Sequence, residues 1–192
     1  MSRLGPVPTD TMNEAQKIVF DGITGGPRAK GNPAEMLNEE GALRGPFNAM
    51  LYSPEMGNLL QQLGGKLRYE TIIPAPLREL AIITVGRHFE AEYEWWAHVN
   101  VGKKEGLSQE TIDAVLAGKV PADPAEATVY KFVSDLQSKN RISDDLYKDA
   151  LDLLGEQGVT ELVFLAGYYA TISHILNAFE VGLPSGVEPA FG

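Results

Sequence analysis

Glu79-Leu80-Ala81-Ile82-Ile83-Thr84-Val85-Gly86-Arg87-His88-Phe89-Glu90-Ala91-Glu92-Tyr93-Glu94-Trp95-Trp96-Ala97-His98-Val99-Asn100-Val101-Gly102-Lys103-Lys104-Glu105-Gly106 is the stretch whose reading decides the fold. Its first part is apolar without strict alternation, and Pro76 just upstream suits the first turn of a helix beginning Leu77-Arg78-Glu79-Leu80. Its second part reads as a helix from Glu92 to Lys104. That helix places Glu94 and His98 side by side, four residues apart. Glu90 lies one turn further back on the same face if the helix reaches it. Glu79, on the preceding helix, faces the pair if the two helices form a hairpin.

Working outward, helix starts recur. Thr9-Asp10 is expected to cap a first helix to about Asp21, with Met12, Ala15, Val19 and Ile23 as its apolar stripe. Ser53-Pro54-Glu55 combines a capping hydroxyl, a proline and a carboxylate. Ser108 caps a short helix to about Leu116, and Asp123-Pro124-Ala125-Glu126 has the spacing of a capping box. Ser143-Asp144-Asp145 opens a helix ended by Gly155, and Gly158 precedes a last long one. The run Thr71-Ile72-Ile73 is flanked by Pro74 and Pro76 and reads as a loop. Residues 1–8 read as a loose arm, and Gly25 to Pro33 as a mobile or surface loop. The expectation is an all-α fold of about eight helices. An echo relates Arg78-Glu79-Leu80 through Gly86 to Thr160-Glu161-Leu162 through Gly167, each leading to a histidine, His98 and His174. Two similar hairpins would explain it, and so would chance in a helix-rich chain.

Composition narrows the chemistry. The 192 residues are enough for one domain with a real core, and 44% are hydrophobic. Formal net charge is −10, with no basic patch, which argues against nucleic acid as a partner. There is no cysteine, so disulfides, thiolate nucleophiles and cysteine metal clusters are excluded. The N-terminus lacks the apolar run of a signal peptide. The most apolar stretch, Val159 to Phe179, is interrupted by Glu161 and His174 and reads as a buried helix rather than a membrane span. A cytoplasmic protein with no membrane partner is the expectation.

A carboxylate beside an imidazole raises the imidazole's pKa and fixes its orientation, which makes Glu94–His98 a candidate acid–base unit. The same spacing also occurs as a solvated surface pair worth a few tenths of a kcal/mol. A Glu-x-x-x-His pair supplies only two metal ligands and the other histidines add none at matching spacing, so no metal is expected. Of Trp95 and Trp96, one is expected in the core and the other on a pocket or subunit contact.

The residues Leu77-Arg78-Glu79-Leu80-Ala81-Ile82, Gly86-Arg87, Glu92-Tyr93-Glu94-Trp95-Trp96-Ala97-His98, Gly102 and Gly106-Leu107-Ser108 together resemble the central hairpin of the carboxymuconolactone decarboxylase family, which also contains the alkyl hydroperoxidase D proteins. Leu162-Val163-Phe164-Leu165-Ala166-Gly167-Tyr168-Tyr169, Asn177 and Leu183-Pro184 are similar to its longer bacterial members. The resemblance implies an N-terminal arm over residues 1–43, a family-like helical domain over 44–184 and a tail over 185–192. In the hydroperoxidase branch a glutamate is followed twelve residues on by Cys-x-x-Cys, with a histidine four beyond. Glu79 and His98 stand at those positions, but the cysteine positions hold Ala91 and Glu94, which contradicts thiol peroxidase chemistry. The decarboxylase branch places a glutamate four residues before its histidine, as Glu94 and His98 do. The resemblance thus implies a cofactor-independent lyase acting on a small carboxylated lactone or related ring compound. His98 would carry the proton, Glu94 would orient it and Glu79 would assist. Arg87 or Arg44 would hold the substrate carboxylate, or serve only in a surface or interface salt bridge, and Trp95 would line the site. Self-association as a trimer or hexamer is implied too. The other readings are a non-catalytic oligomeric binding protein on the same scaffold and a metal-dependent hydrolase. The long N-terminal segment and the gap between Arg87 and His98 depart from the compact decarboxylases.

Overall fold

The computed structural model describes residues 2–29 and 33–192, so Lys30, Gly31 and Asn32 of the Gly25–Pro33 loop lie outside the described residues. Eight α-helices are present among them: α1 Glu14–Thr24, α2 Phe47–Met50, α3 Pro54–Tyr69, α4 Ala75–His88, α5 Glu92–Glu105, α6 Gln109–Leu116, α7 Pro124–Lys139 and α8 Asp144–Ala178. The only extended pairing described is an isolated bridge between Leu37 and Leu43. The fold is all-α, as the helix-start signals indicate.

The chain forms two compact units, residues 1–70 with 175–182, and residues 71–174 with 183–192. The division between these units falls before Thr71. In the first unit Val19, Ile23, Leu43, Met50 and Leu51 form the core. α1 begins later than Thr9-Asp10 suggests, because those residues form a 3-10 turn instead. Asn13 caps α1, with Gln16 closing the capping box. The arm ahead of it is not loose. The Arg3 backbone N–H donates to the Phe179 carbonyl at 2.8 Å, and the Arg3 guanidinium reaches the Ala178 carbonyl and the Glu180 carboxylate. These contacts occupy carbonyls and a carboxylate just past the end of α8 and hold the arm in place. Ser53 makes no side-chain cap to α3, and Pro54 alone marks that start.

In the second unit α4 is buried on every side: Leu77, Leu80, Ala81, Ile82, Ile83, Thr84, Val85 and Gly86 are all inside. A helix without a polar face belongs in a core, and α5, α6 and α7 pack around it. Ser108 caps α6 by accepting from Thr111 N–H at 3.0 Å. Asp123 caps α7, but Glu126 does not close the box, because its carboxylate accepts from the Thr111 hydroxyl at 2.6 Å instead. α8 breaks at Gly155, where φ of 68° and ψ of 175° leave helical space, at the residue whose sequence marks a helix end. By length and composition α8 could cross a membrane, yet half of its apolar window is buried in the protein.

The last ten residues join the second unit. Glu92 at the start of α5 accepts the backbone N–H groups of Ala190 and Phe191, each at 2.8 Å, and the Phe191 ring meets Trp95 at 5.5 Å between centroids.

Candidate acid–base site

The site grows from the way α4 and α5 meet. Gly86 and Gly102 sit at their crossing: a Cβ on Gly86 would lie 3.4 Å from the Trp95 nitrogen, and one on Gly102 would lie 3.5 Å from the Glu79 Cβ. Bare backbone at these two points lets the helices approach closely enough for short side chains to join across them. The turn between the helices runs through Glu90 at φ of 50°, so α5 starts at Glu92 and Glu90 is not on the face of Glu94 and His98.

Three titratable side chains meet inside. Glu79, Glu94 and His98 are exposed by only 0%, 3% and 6%. The His98 Nδ1 donates to Glu79 Oε2 at 2.6 Å, across the hairpin. Its Nε2 stands 3.2 Å from Glu94 Oε1, one turn back on the same helix, but without hydrogen-bond alignment. The geometry therefore divides the two acids differently from the sequence expectation. Glu79 fixes the ring through an aligned bond, and Glu94 waits at the opposite nitrogen. The Tyr169 ring of α8 meets the imidazole edge-on, 5.0 Å away and at 80°.

Electrostatics follow from this enclosure. Burial alone would push the His98 imidazole down from 6.5, but the Glu79 and then the Glu94 carboxylate overcome it, and the net shift is upward. His88 moves the opposite way, lowered by burial and by Arg87. His98 is thus a buried ring whose protonated form is favoured by the two carboxylates, bonded to one at Nδ1 and close to the other at Nε2. Such an arrangement can store a proton and release it to a bound group without a thiol or metal ligand set.

The other expected residues have contacts of their own. Arg87 donates from Nε to the Leu116 carbonyl at 3.1 Å, tying α4 to the end of α6 rather than facing His98. Arg44 belongs to the first unit. Trp95 is buried, but its ring packs on Phe191, and Trp96 meets Tyr93 at 5.4 Å. Tyr169 and Arg78 are the neighbours that sequence reasoning did not single out. Arg78 was legible only as the residue beside Glu79, and Tyr169 had no local signal, because its contact joins positions far apart in the chain.

The model of the carboxymuconolactone decarboxylase family matches residues 54–135, a span that contains Glu79, Glu94 and His98. Over that span the chain is similar to the carboxymuconolactone decarboxylase family. Among solved structures, a protein of unknown function from Agrobacterium tumefaciens, provisionally placed with the antioxidant defence protein AhpD, aligns at a TM-score of 0.61. It is 16% identical, and the alignment covers 73% of this chain and 97% of that one, so it shows the shared helical fold alone. No curated protein matches the chain. The chain has no cysteine, and the two positions that the resemblance assigns to thiols hold the fully buried Ala91 and the buried Glu94.

Proposed function

We propose that this protein is a thiol-free acid–base enzyme of the carboxymuconolactone decarboxylase kind, acting on a small carboxylated lactone or related ring compound. The observation that carries this reading is the buried His98 held at 2.6 Å by Glu79, with Glu94 3.2 Å from its other nitrogen. Similarity to the family over residues 54–135 supports the class of chemistry, and the absence of cysteine removes the thiol alternative.

In the proposed reaction, the bond between the ring carbon and its carboxylate breaks, and carbon dioxide leaves. The electron pair moves into the conjugated lactone carbonyl. His98 then gives a proton to carbon, and the pair returns to form the new carbon–hydrogen bond. Glu79 keeps the ring aimed and stabilises the imidazolium before transfer. Each turnover consumes one proton, which solvent supplies and Glu94 relays back to the ring. A positioned general acid contributes about 10²–10⁴-fold.

The test is carbon dioxide release from a panel of lactone acids by the wild type and by His98→Ala. Turnover by the wild type and a loss of at least about 10²-fold in the folded variant are expected. Unchanged turnover in His98→Ala removes the proposal. Saturable binding with no turnover by the wild type would instead favour a non-catalytic binding protein.

A further inference from the structure

Arg78 precedes Glu79 in the first turn of α4, and its side chain is only 13% exposed. Its Nε is buried and makes no hydrogen bond with the described residues, and Glu79 Oε1 stands 3.7 Å away. A guanidinium that served only as the counterion of Glu79 would close that gap to a bond of about 2.7–2.9 Å. Instead Glu79 gives its other oxygen to His98. At the far side, Glu94 Oε1 is likewise buried without a hydrogen bond. Arg78, Glu79, His98 and Glu94 form one continuous run of neighbouring charged groups, and each end, Arg78 Nε and Glu94 Oε1, is a buried atom without a hydrogen bond. One end is a donor and the other an acceptor. Buried polar atoms in that state are costly, and functional sites are where such a cost is tolerated.

We propose that Arg78 is the carboxylate-binding residue of this site, and that the carboxylate it holds stays on the ligand throughout the reaction. The inference rests on the acid–base reading given above. A guanidinium clamped on the departing carboxylate would stabilise charge that has to drain into the ring, and so would favour the ground state over the transition state. The clamped group is therefore a different one, and it sets the distance between the reacting carbon and His98. Arg78 makes and breaks no covalent bond. Its planar donor fork matches a carboxylate in a way that a lysine ammonium does not. Arg87, the arginine that the sequence offers for this role in the same unit, already spends its Nε on Leu116.

The test is calorimetric titration with benzoate, a small ring carboxylate, and with benzamide as its uncharged counterpart. The wild type is expected to bind benzoate saturably and benzamide at least about tenfold more weakly. Arg78→Gln is expected to lose at least about tenfold in benzoate affinity, Arg78→Lys an intermediate amount, and Arg87→Gln nothing. If Arg78→Gln does not fold, Arg78→Lys carries the test, because unchanged benzoate affinity in it overturns the assignment. Equal benzoate affinity in a folded Arg78→Gln, or no saturable binding by the wild type, overturns it as well. His98→Gln separates this inference from the reaction. Retained benzoate binding in that variant supports the Arg78 assignment whether or not turnover survives, while surviving turnover counts against the acid–base reading alone.

Discussion

The same sequence words occur twice in this chain and build two different things. In the α4–α5 hairpin, Glu79 and His98 are buried and bonded at 2.6 Å. In α8, Glu161 and His174 echo them, yet Glu161 accepts the Ile72 backbone N–H at 2.8 Å and pairs with Gln157, while exposed His174 packs its ring on Phe89. The difference is topological. The first pair lies on two helices joined by a turn, so a separation of 19 residues folds back into contact. The second pair lies on one continuous stretch of helix, where thirteen positions span about 20 Å of axis. The lesson is that a repeated Glu-Leu run followed by a histidine makes a site only where a turn returns the second residue to the first.

Removing the acid from each pair separates the two regions most sharply. Glu79→Ala leaves a buried imidazolium without its aligned partner, which typically costs about 3–5 kcal/mol. Urea denaturation is expected to show a loss in that range, and the double variant Glu79→Ala/His98→Ala to recover part of it, because the two residues are directly coupled. If Glu79→Ala costs no more than Glu161→Ala, the buried pair is not an energetic unit and the contrast fails.

Proton linkage gives the next effect. The folded-state pKa of His98 is raised above its ordinary 6.5, opposed by burial but carried upward by Glu79 and Glu94. The native state therefore binds more protons than the unfolded state between 6.5 and the raised value. The resulting stability is complete below 6.5 and is lost as pH rises through the folded pKa. Unfolding free energy measured from the acidic side of 6.5 into the alkaline range should fall faster in the wild type than in His98→Gln. The imidazole Hε1 proton resonance of His98 should titrate above 6.5, and Glu94→Gln should bring it down. Parallel pH profiles in the wild type and His98→Gln would show that the acids do not hold the proton.

How much of this was legible depended on the range of each interaction. Local signals read well: the Ser108 and Asp123 caps, the break at Gly155, and the apolar run of α4 are decided within a few residues. Competition between local signals misled at the N-terminus. Thr9-Asp10 looks like a cap, but Asn13 and Gln16 make the reciprocal bonds there, and that pattern was available in the sequence. Glu94–His98 proximity follows from helical spacing, whereas the choice of Glu79 as aligned partner depends on how Gly86 and Gly102 let the helices close. The pinning of Arg3 to the end of α8 and of the C-terminal tail to Glu92 joins residues nearly a hundred or more positions apart. Nothing in a single chain's spacing encodes those contacts. Arg87 illustrates the same limit: its charge was visible, but its docking on Leu116 was not.

The smallest effect tests the other half of the contrast. Glu161 lies on a partly exposed helix face, and its contact to the Ile72 N–H is open to water, so losing it exposes a donor that solvent can satisfy. Glu161→Ala is expected to cost about 0.5–1 kcal/mol and His174→Ala less than about 0.5 kcal/mol, in line with surface substitutions generally. Because the two residues do not touch, the double variant should be additive within about 0.3–0.5 kcal/mol. A larger coupling would mean that Glu161 and His174 communicate after all, and the echo would then have to be read as a second, degenerate copy of the site rather than as a coincidence of helical sequence.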